Sequence, residues 1–333
     1  MKAYPLKFRP ILKEKIWGGT KLKSVLSKKS NAKHVGESWE ISGVEGDISE
    51  VTNGTYAGTS LEYLMETYKD VFVGQECYET FGTTFPLLIK FLDAQTALSV
   101  QVHPDDQMAK RYHDSLGKTE MWYVVDHDED AEVILGLNSK TLDTKALQKI
   151  NQENVGEILN RKIVSKGDSY FIPAGQVHAI GAGVLAAEIQ QTSDVTYRIY
   201  DWDREDSNGN KRQLHLEKAM EASKYFDETE LNINDNSVCG LTPIAKCAYF
   251  ETNKLEIEES LRRDYSALDS FVIFICVEGG THIIVNDRSE YVTAGETILI
   301  PANANEVIFY GDDAKLLEVY LPTNAQETLA LAS

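Results

Sequence analysis

Short apolar runs rich in Val, Ile, Phe and Tyr recur along the chain, each ended by Gly, Asn, Asp or Pro. Examples are Met121 to Val125, Ala131 to Leu135, Ser169 to Ile172, Phe271 to Val277, Thr297 to Ile300 and Leu316 to Tyr320. Runs of this length and composition read as strands, and their number predicts an all-β barrel or sandwich. Three segments carry helical spacing instead: Ser60 to Lys69, Thr144 to Asn160 and Leu216 to Tyr225. They are read as a few helices added to a β framework.

The strand pattern repeats. GDSYFIPAGQVHAI at 167–180 aligns without gaps to GETILIPANANEVI at 295–308, with five of fourteen positions identical. Recurrence of one supersecondary unit predicts two similar barrels in tandem. The expected division is 1–235 and 236–333, joined through the Asp-, Asn- and Glu-rich stretch Asp227 to Asn236. His178 of the first copy corresponds to Glu306 of the second, whose nearest alternative imidazole is His282. The first half is therefore expected to hold a metal and the second to lack one.

Composition narrows the class. With 333 residues, 42% hydrophobic and 26% charged, the chain has the balance of a globular protein large enough for two cores. No run approaches the roughly 20 apolar residues of a membrane helix, and MKAYPLKFRP has no apolar signal centre, so a cytoplasmic protein with no membrane partner is expected. Cys77, Cys239, Cys247 and Cys276 are scattered without a CxxC pair, which argues against a thiolate metal site or a disulfide framework. A net charge of −19 argues against a nucleic-acid partner. An anionic substrate would need basic side chains gathered locally.

The chemistry centres on four side chains. Gln101 and His103 are two apart at the end of an apolar run that Pro104 stops, so in a strand both face one side. Glu120 begins the next strong strand and His178 lies just beyond a third. Two imidazoles, a carboxylate and an amide oxygen suit zinc and accept other divalent ions. Lys118 shares the parity of Glu120. Asp194, Thr196 and Arg198 share one parity in SDVTYR.

Gly167, Pro173, Gly175 and His178 form G-x5-P-x-G-x2-H, which resembles the second cupin motif; Gln101-x-His103 followed by Glu120 resembles a variant of the first. LSVQVHPDD, GKTEMWY and PAGQVHAIGAG in order, with IWGGTKL, GESWEIS and QQTSDVTYRIYDWDR, resemble the type I mannose-6-phosphate isomerases in their short bacterial form. The resemblance implies two tandem cupin (jelly-roll) barrels with a few helices and one Zn2+ per chain held by Gln101, His103, Glu120 and His178. It also implies interconversion of mannose 6-phosphate and fructose 6-phosphate through a cis-enediol. Arg198 and Asp194 become catalytic residues beside the metal, and Lys118 a candidate acid/base group. Ser99 and Arg204 become phosphate contacts, and Trp17 a wall of the sugar pocket. The chain departs from the long forms at Gly117, where they carry a histidine, in the Ile-Tyr-Asp-Trp-Asp after Arg198, and at Ala182, where the second cupin motif usually has Asn. Two other readings start from the same ligands: an iron-dependent cupin oxygenase, which the amide ligand disfavours, and a non-catalytic sugar-binding cupin.

Overall fold

The computed structural model describes residues 1–138, 144–151, 153–206, 208–226, 240–311 and 313–322. The chain is mostly β with few, short helices. It folds as two compact units, both discontinuous: Met1–Ile11, Trp39–Leu88 and Ile233–Ser333 in one, Leu12–Ser38 and Ile89–Asn232 in the other. The expected cut at residue 235 and the connector Asp227 to Asn236 lie outside the described residues. The first residues of the chain join its last strands, with Leu6 opposite Leu299 and Lys7 opposite Ile298.

The unit carrying the C-terminal strands packs two antiparallel sheets. One runs in the order Leu6–Lys7, Thr297–Ile300, Val272–Glu278, Ala314–Tyr320, Glu251–Ile257, Leu241–Lys246; the other runs Ser260–Asp264, Glu306–Tyr310, Gly280–Val285, Arg288–Thr293. Phe274, Ile298 and Leu316 of the first sheet meet Ile283, Val307 and Phe309 of the second in one buried core. Along Gly280–Val285, buried Ile283 and Val285 alternate with exposed His282, the pattern of a sheet with one face wet. The helix expected over Ser60 to Lys69 is Leu61–Tyr68, capped by Ser60 Oγ accepting from the Tyr63 amide at 3.1 Å.

In the other unit Leu87–Ala94, Val184–Gln191, Glu120–His127 and Ser169–Ile172 are successive strands of a six-stranded sheet. A five-stranded sheet runs Tyr197–Tyr200, Val100–Val102, His178–Ile180, Glu132–Leu137, Leu159–Ile163. Trp122, Val124, Ile172 and Ala186 pack with Val133 and Ile180 between them. Val102, Ile134, Ala179 and Ile199 instead pack with Ala219 and Ala222 of the helix Leu216–Ala222.

The long helix expected over Thr144 to Asn160 does not form. Short helices Thr144–Gln148 and Val155–Ile158 flank a turn, and Leu159–Ile163 is a strand paired with Glu132–Leu137. Asn151 Oδ1 accepts from the amides of Glu153 and Asn154, and Asn154 Oδ1 from that of Asn151. These side chains take over the amides a continuous helix would use. The repeat, by contrast, recurs in structure. Gly167 and Gly295 have φ of 94° and 92°, and the strands Ser169–Ile172 and Thr297–Ile300 follow them at matching positions. No helix among the described residues is long and apolar enough to cross a membrane.

Candidate active site

Strand pairing brings the four proposed ligands to one point. Gln101 lies opposite His178 on one side and Arg198 on the other, and Glu120 opens its strand in the facing sheet. His103, Glu120 and His178 are at most 1% exposed. His103 Nε2 is 3.1 Å from His178 Nε2 and 3.3 Å from Glu120 Oε2, and His178 Nε2 is 3.5 Å from Glu120 Oε1. The Gln101 amide reaches His178 Nε2 at 3.5 Å and accepts from Ser99 Oγ at 3.1 Å. Half a turn about its last torsion exchanges amide O and N, presenting the oxygen to the centre.

The imidazoles are aimed from behind. His103 Nδ1 donates to the Val195 carbonyl at 3.0 Å and His178 Nδ1 to that of Gln176 at 2.8 Å. Each ring then carries its proton on Nδ1 and turns the Nε2 lone pair inward. Glu120 Oε1 is buried and accepts no hydrogen bond. The Lys118 ammonium donates to His103 Nε2 at 3.0 Å and also to Glu120 Oε2. Two inward lone pairs, a carboxylate and an orphaned oxygen fit a divalent metal. Among the described residues no other such group of His, Cys, Asp and Glu comes together. The Glu306 that replaces His178 in the repeat pairs with Arg262, and His282 is exposed and bonded to Ser289.

Electrostatics agree with this chemistry. Burial, then the Lys118 charge, pushes His103 down to about 3, and burial also lowers His178. Both rings therefore stay neutral and ready to ligate. Burial alone would raise Glu120, but the Lys118 ammonium overrides it and holds the carboxyl well below its usual range.

Beside the trio opens a cavity of 240 Å³. Trp17, Leu92 and Leu98 form apolar wall, and Ser99, Gln101 and Thr196 line it with polar atoms. Lys15, Lys90, Lys118, Arg198 and Arg212 oppose Glu37, Glu188 and Asp194. Five cations against three acids make it a basic pocket in a chain of net charge −19, the local reversal an anionic ligand requires.

Models described as phosphomannose isomerase type I, catalytic domain, and mannose-6-phosphate isomerase, cupin domain, match residues 6–145 and 241–321. The mannose-6-phosphate isomerase ManA of Bacillus subtilis is 37% identical over 310 residues, covering 92% of this chain and 96% of its own. The chain belongs to the type I phosphomannose isomerase family. The mannose-6-phosphate isomerase of Streptococcus mutans is 33% identical over 312 residues, 93% of this chain and 96% of that protein. The crystal structure of mannose 6-phosphate isomerase from B. subtilis has a TM-score of 0.84 at 34% identity, covering 94% of this chain and 99% of that one.

Against the family expectations, Trp17, Ser99, Gln101, Lys118, Asp194 and Arg198 all border the cavity. Asp194 and Thr196 do so from the extended segment before the strand Tyr197–Tyr200. Arg204 does not border it; it donates to Asp201 and Thr96. The sequence reading missed Lys15, Glu37, Lys90, Glu188 and Arg212. The signal for two of them was available: a lysine inside LLIKFLDA and a glutamate inside VLAAEIQQ are ionisable residues in fully buried strands, and such residues need partners. They have each other: Lys90 Nζ is 3.2 Å from Glu188 Oε2, both about 5% exposed, and Trp122 Nε1 donates to Glu188 Oε1 at 3.0 Å. Burial alone would lower Lys90, but Glu188 and Glu37 outweigh it and raise its pKa. Lys90→Met should destabilise the protein by about 3–5 kcal/mol, because it strands a buried carboxylate. Urea unfolding measures this, and an unchanged midpoint would show that Glu188 does not depend on Lys90.

Proposed function

We propose that the chain is a zinc-dependent aldose–ketose isomerase that interconverts mannose 6-phosphate and fructose 6-phosphate by proton transfer through a cis-enediol. The observation that carries the reading is the buried His103–Glu120–His178 trio, joined through Gln101 and Lys118 to a basic, sugar-sized cavity that those two residues border, in a member of the phosphomannose isomerase family. Zinc held by these residues and Gln101 would act as a Lewis acid on the sugar's C1 and C2 oxygens.

The chain's own groups do the rest. Moving a hydrogen from C2 to C1 as a proton builds negative charge on the two oxygens. Arg198, across the strand pair from Gln101, supplies fixed positive charge where that charge develops. It is pre-aimed, since its Nη1 is tied to the Gln213 carbonyl at 2.8 Å while its buried Nε has no partner. Lys118 Nζ, on the cavity wall, would act as the free amine after giving one proton to solvent: it takes the proton from C2, becoming ammonium, and returns it to C1, becoming amine again. Asp194, at the more open edge, accepts hydrogen bonds from sugar hydroxyls and exchanges a proton with an enediol oxygen. Trp17 offers an apolar face to the sugar's C–H surface, and Ser99 keeps the Gln101 amide in place. We read the two units as tandem cupin barrels, the N-terminal motifs keeping the metal and the C-terminal repeat having lost it.

Incubation with mannose 6-phosphate in D2O, followed by NMR, tests the reading. Fructose 6-phosphate should form and gain solvent deuterium at C1. Absence of the ketose would reject the function. Conversion with full retention of the original hydrogen over many turnovers would replace the proton route with a hydride shift.

A further inference from the structure

We propose that Arg212 grips the substrate's phosphate and that Asp201 is the residue that positions it. The inference rests on the sugar-phosphate reading above. If C1 and C2 react beside the His103–Glu120–His178 trio, the phosphate on C6 lies at the far end of the sugar, towards the mouth of the cavity. Exposure orders the cavity's cations along that direction: the side chains of Lys118 and Lys90 are 4% and 5% exposed, those of Arg212 and Lys15 29% and 32%. The two deep lysines are committed to Glu120 and Glu188. Lys15 is 3.0 Å from Glu37, whose carboxylate also borders the cavity and would repel a phosphate.

Arg212 differs because its carboxylate partner stands behind it. Asp201 does not border the cavity, and it accepts from Arg212 Nε at 2.7 Å and Nη2 at 2.5 Å. That grip uses one edge of the guanidinium. Nη1 donates to nothing among the described residues, and an open edge of a planar fork suits phosphate oxygens. Asp201 is itself fixed from its other side. Arg204 Nη2 donates to it at 2.5 Å while Arg204 Nη1 is held by Thr96 Oγ1 at 3.1 Å. Arg204 thus braces the carboxylate that orients Arg212. Arg198 adds a second guanidinium to the same wall, close enough that, after burial, the Arg212 charge is the main influence lowering its pKa.

The test compares Arg212→Ala and Arg212→Lys with the wild type, measuring kcat and KM for mannose 6-phosphate and the Ki of inorganic phosphate as a competitor. In Arg212→Ala, KM and Ki should rise together by roughly 10- to 100-fold, the range for one lost charge-assisted pair. Under the same substitution kcat should fall less than about threefold, and Arg212→Lys should recover part of the loss. Asp201→Asn should raise KM and Ki with kcat kept, because it loosens the aim without removing the charge. Unchanged KM and Ki in Arg212→Ala overturn the proposal, and so does a loss confined to kcat. If Arg212→Ala does not fold, Arg212→Lys alone decides it by the same two constants. A wild type inactive on mannose 6-phosphate would remove the sugar-phosphate reading itself, whereas an active wild type with an unaffected Arg212→Ala removes this inference only.

Discussion

Protein stripped of divalent metal by a chelator should convert mannose 6-phosphate at less than about a thousandth of the loaded rate, and Zn2+ should restore it. The expectation comes from how little else the deep end of the cavity offers. The two rings are held neutral by burial and carry their protons on Nδ1, bonded to carbonyls, so neither Nε2 donates a proton to a developing oxyanion. Glu120 is an anion and would oppose one. Zinc held by these residues should also raise the thermal midpoint, since a ligand that binds only the folded state stabilises it. Calorimetry gives that second readout independently of turnover. Full activity in protein shown by elemental analysis to be metal-free would refute the assignment.

Arg198→Ala should lower kcat by about 100- to 1,000-fold while leaving bound zinc unchanged, the usual cost of removing one preorganised charge donor. Arg198 pairs across strands with Gln101 but donates to none of His103, Glu120 and His178; its side chain bonds to the Gln213 carbonyl and its amide to His215. Loss of the guanidinium therefore spares the metal set and removes charge from the reacting oxygens. Near-normal kcat would show that Arg198 is a wall residue only, and loss of zinc would show that it supports the ligands instead.

The buried His103–Glu120–His178 cluster, with Gln101 beside it, was legible because its geometry is local. Two residues apart on a strand suffices to aim Gln101 and His103 together, and the Pro173–Gly175–His178 spacing encodes a turn whose Gly175 adopts φ of 98° with the Ala222 carbonyl 2.9 Å from where a Cβ would sit. That Lys90 meets Glu188, and that Arg212 reaches the same cavity, was not legible for the opposite reason, although the two buried strand residues themselves announced a need for partners. Their meeting depends on which strands become neighbours across the sheet, and on a turn after Arg198 that no periodicity describes. The helix Asp106–His113 was missed although Asp105, just after Pro104, caps it by accepting from the Met108 amide at 3.0 Å; the segment is short and mostly polar, and its apolar side is only Met108, Ala109 and Tyr112. Leu6 joining Leu299 is a pairing between opposite ends of the chain, which local patterns do not carry.

The Val195 carbonyl that holds His103 belongs to the short segment whose flanking residues, Asp194 and Thr196, face the sugar cavity. One stretch of backbone therefore holds the His103 ring from behind and lines the cavity where the proposed substrate would bind. Any shift of that stretch on substrate entry is felt at the imidazole, and by linkage the reverse holds equally. If the proposed metal and sugar phosphate both bind here, cofactor retention and substrate occupancy are coupled equilibria, and the metal's affinity should differ between free and substrate-loaded protein.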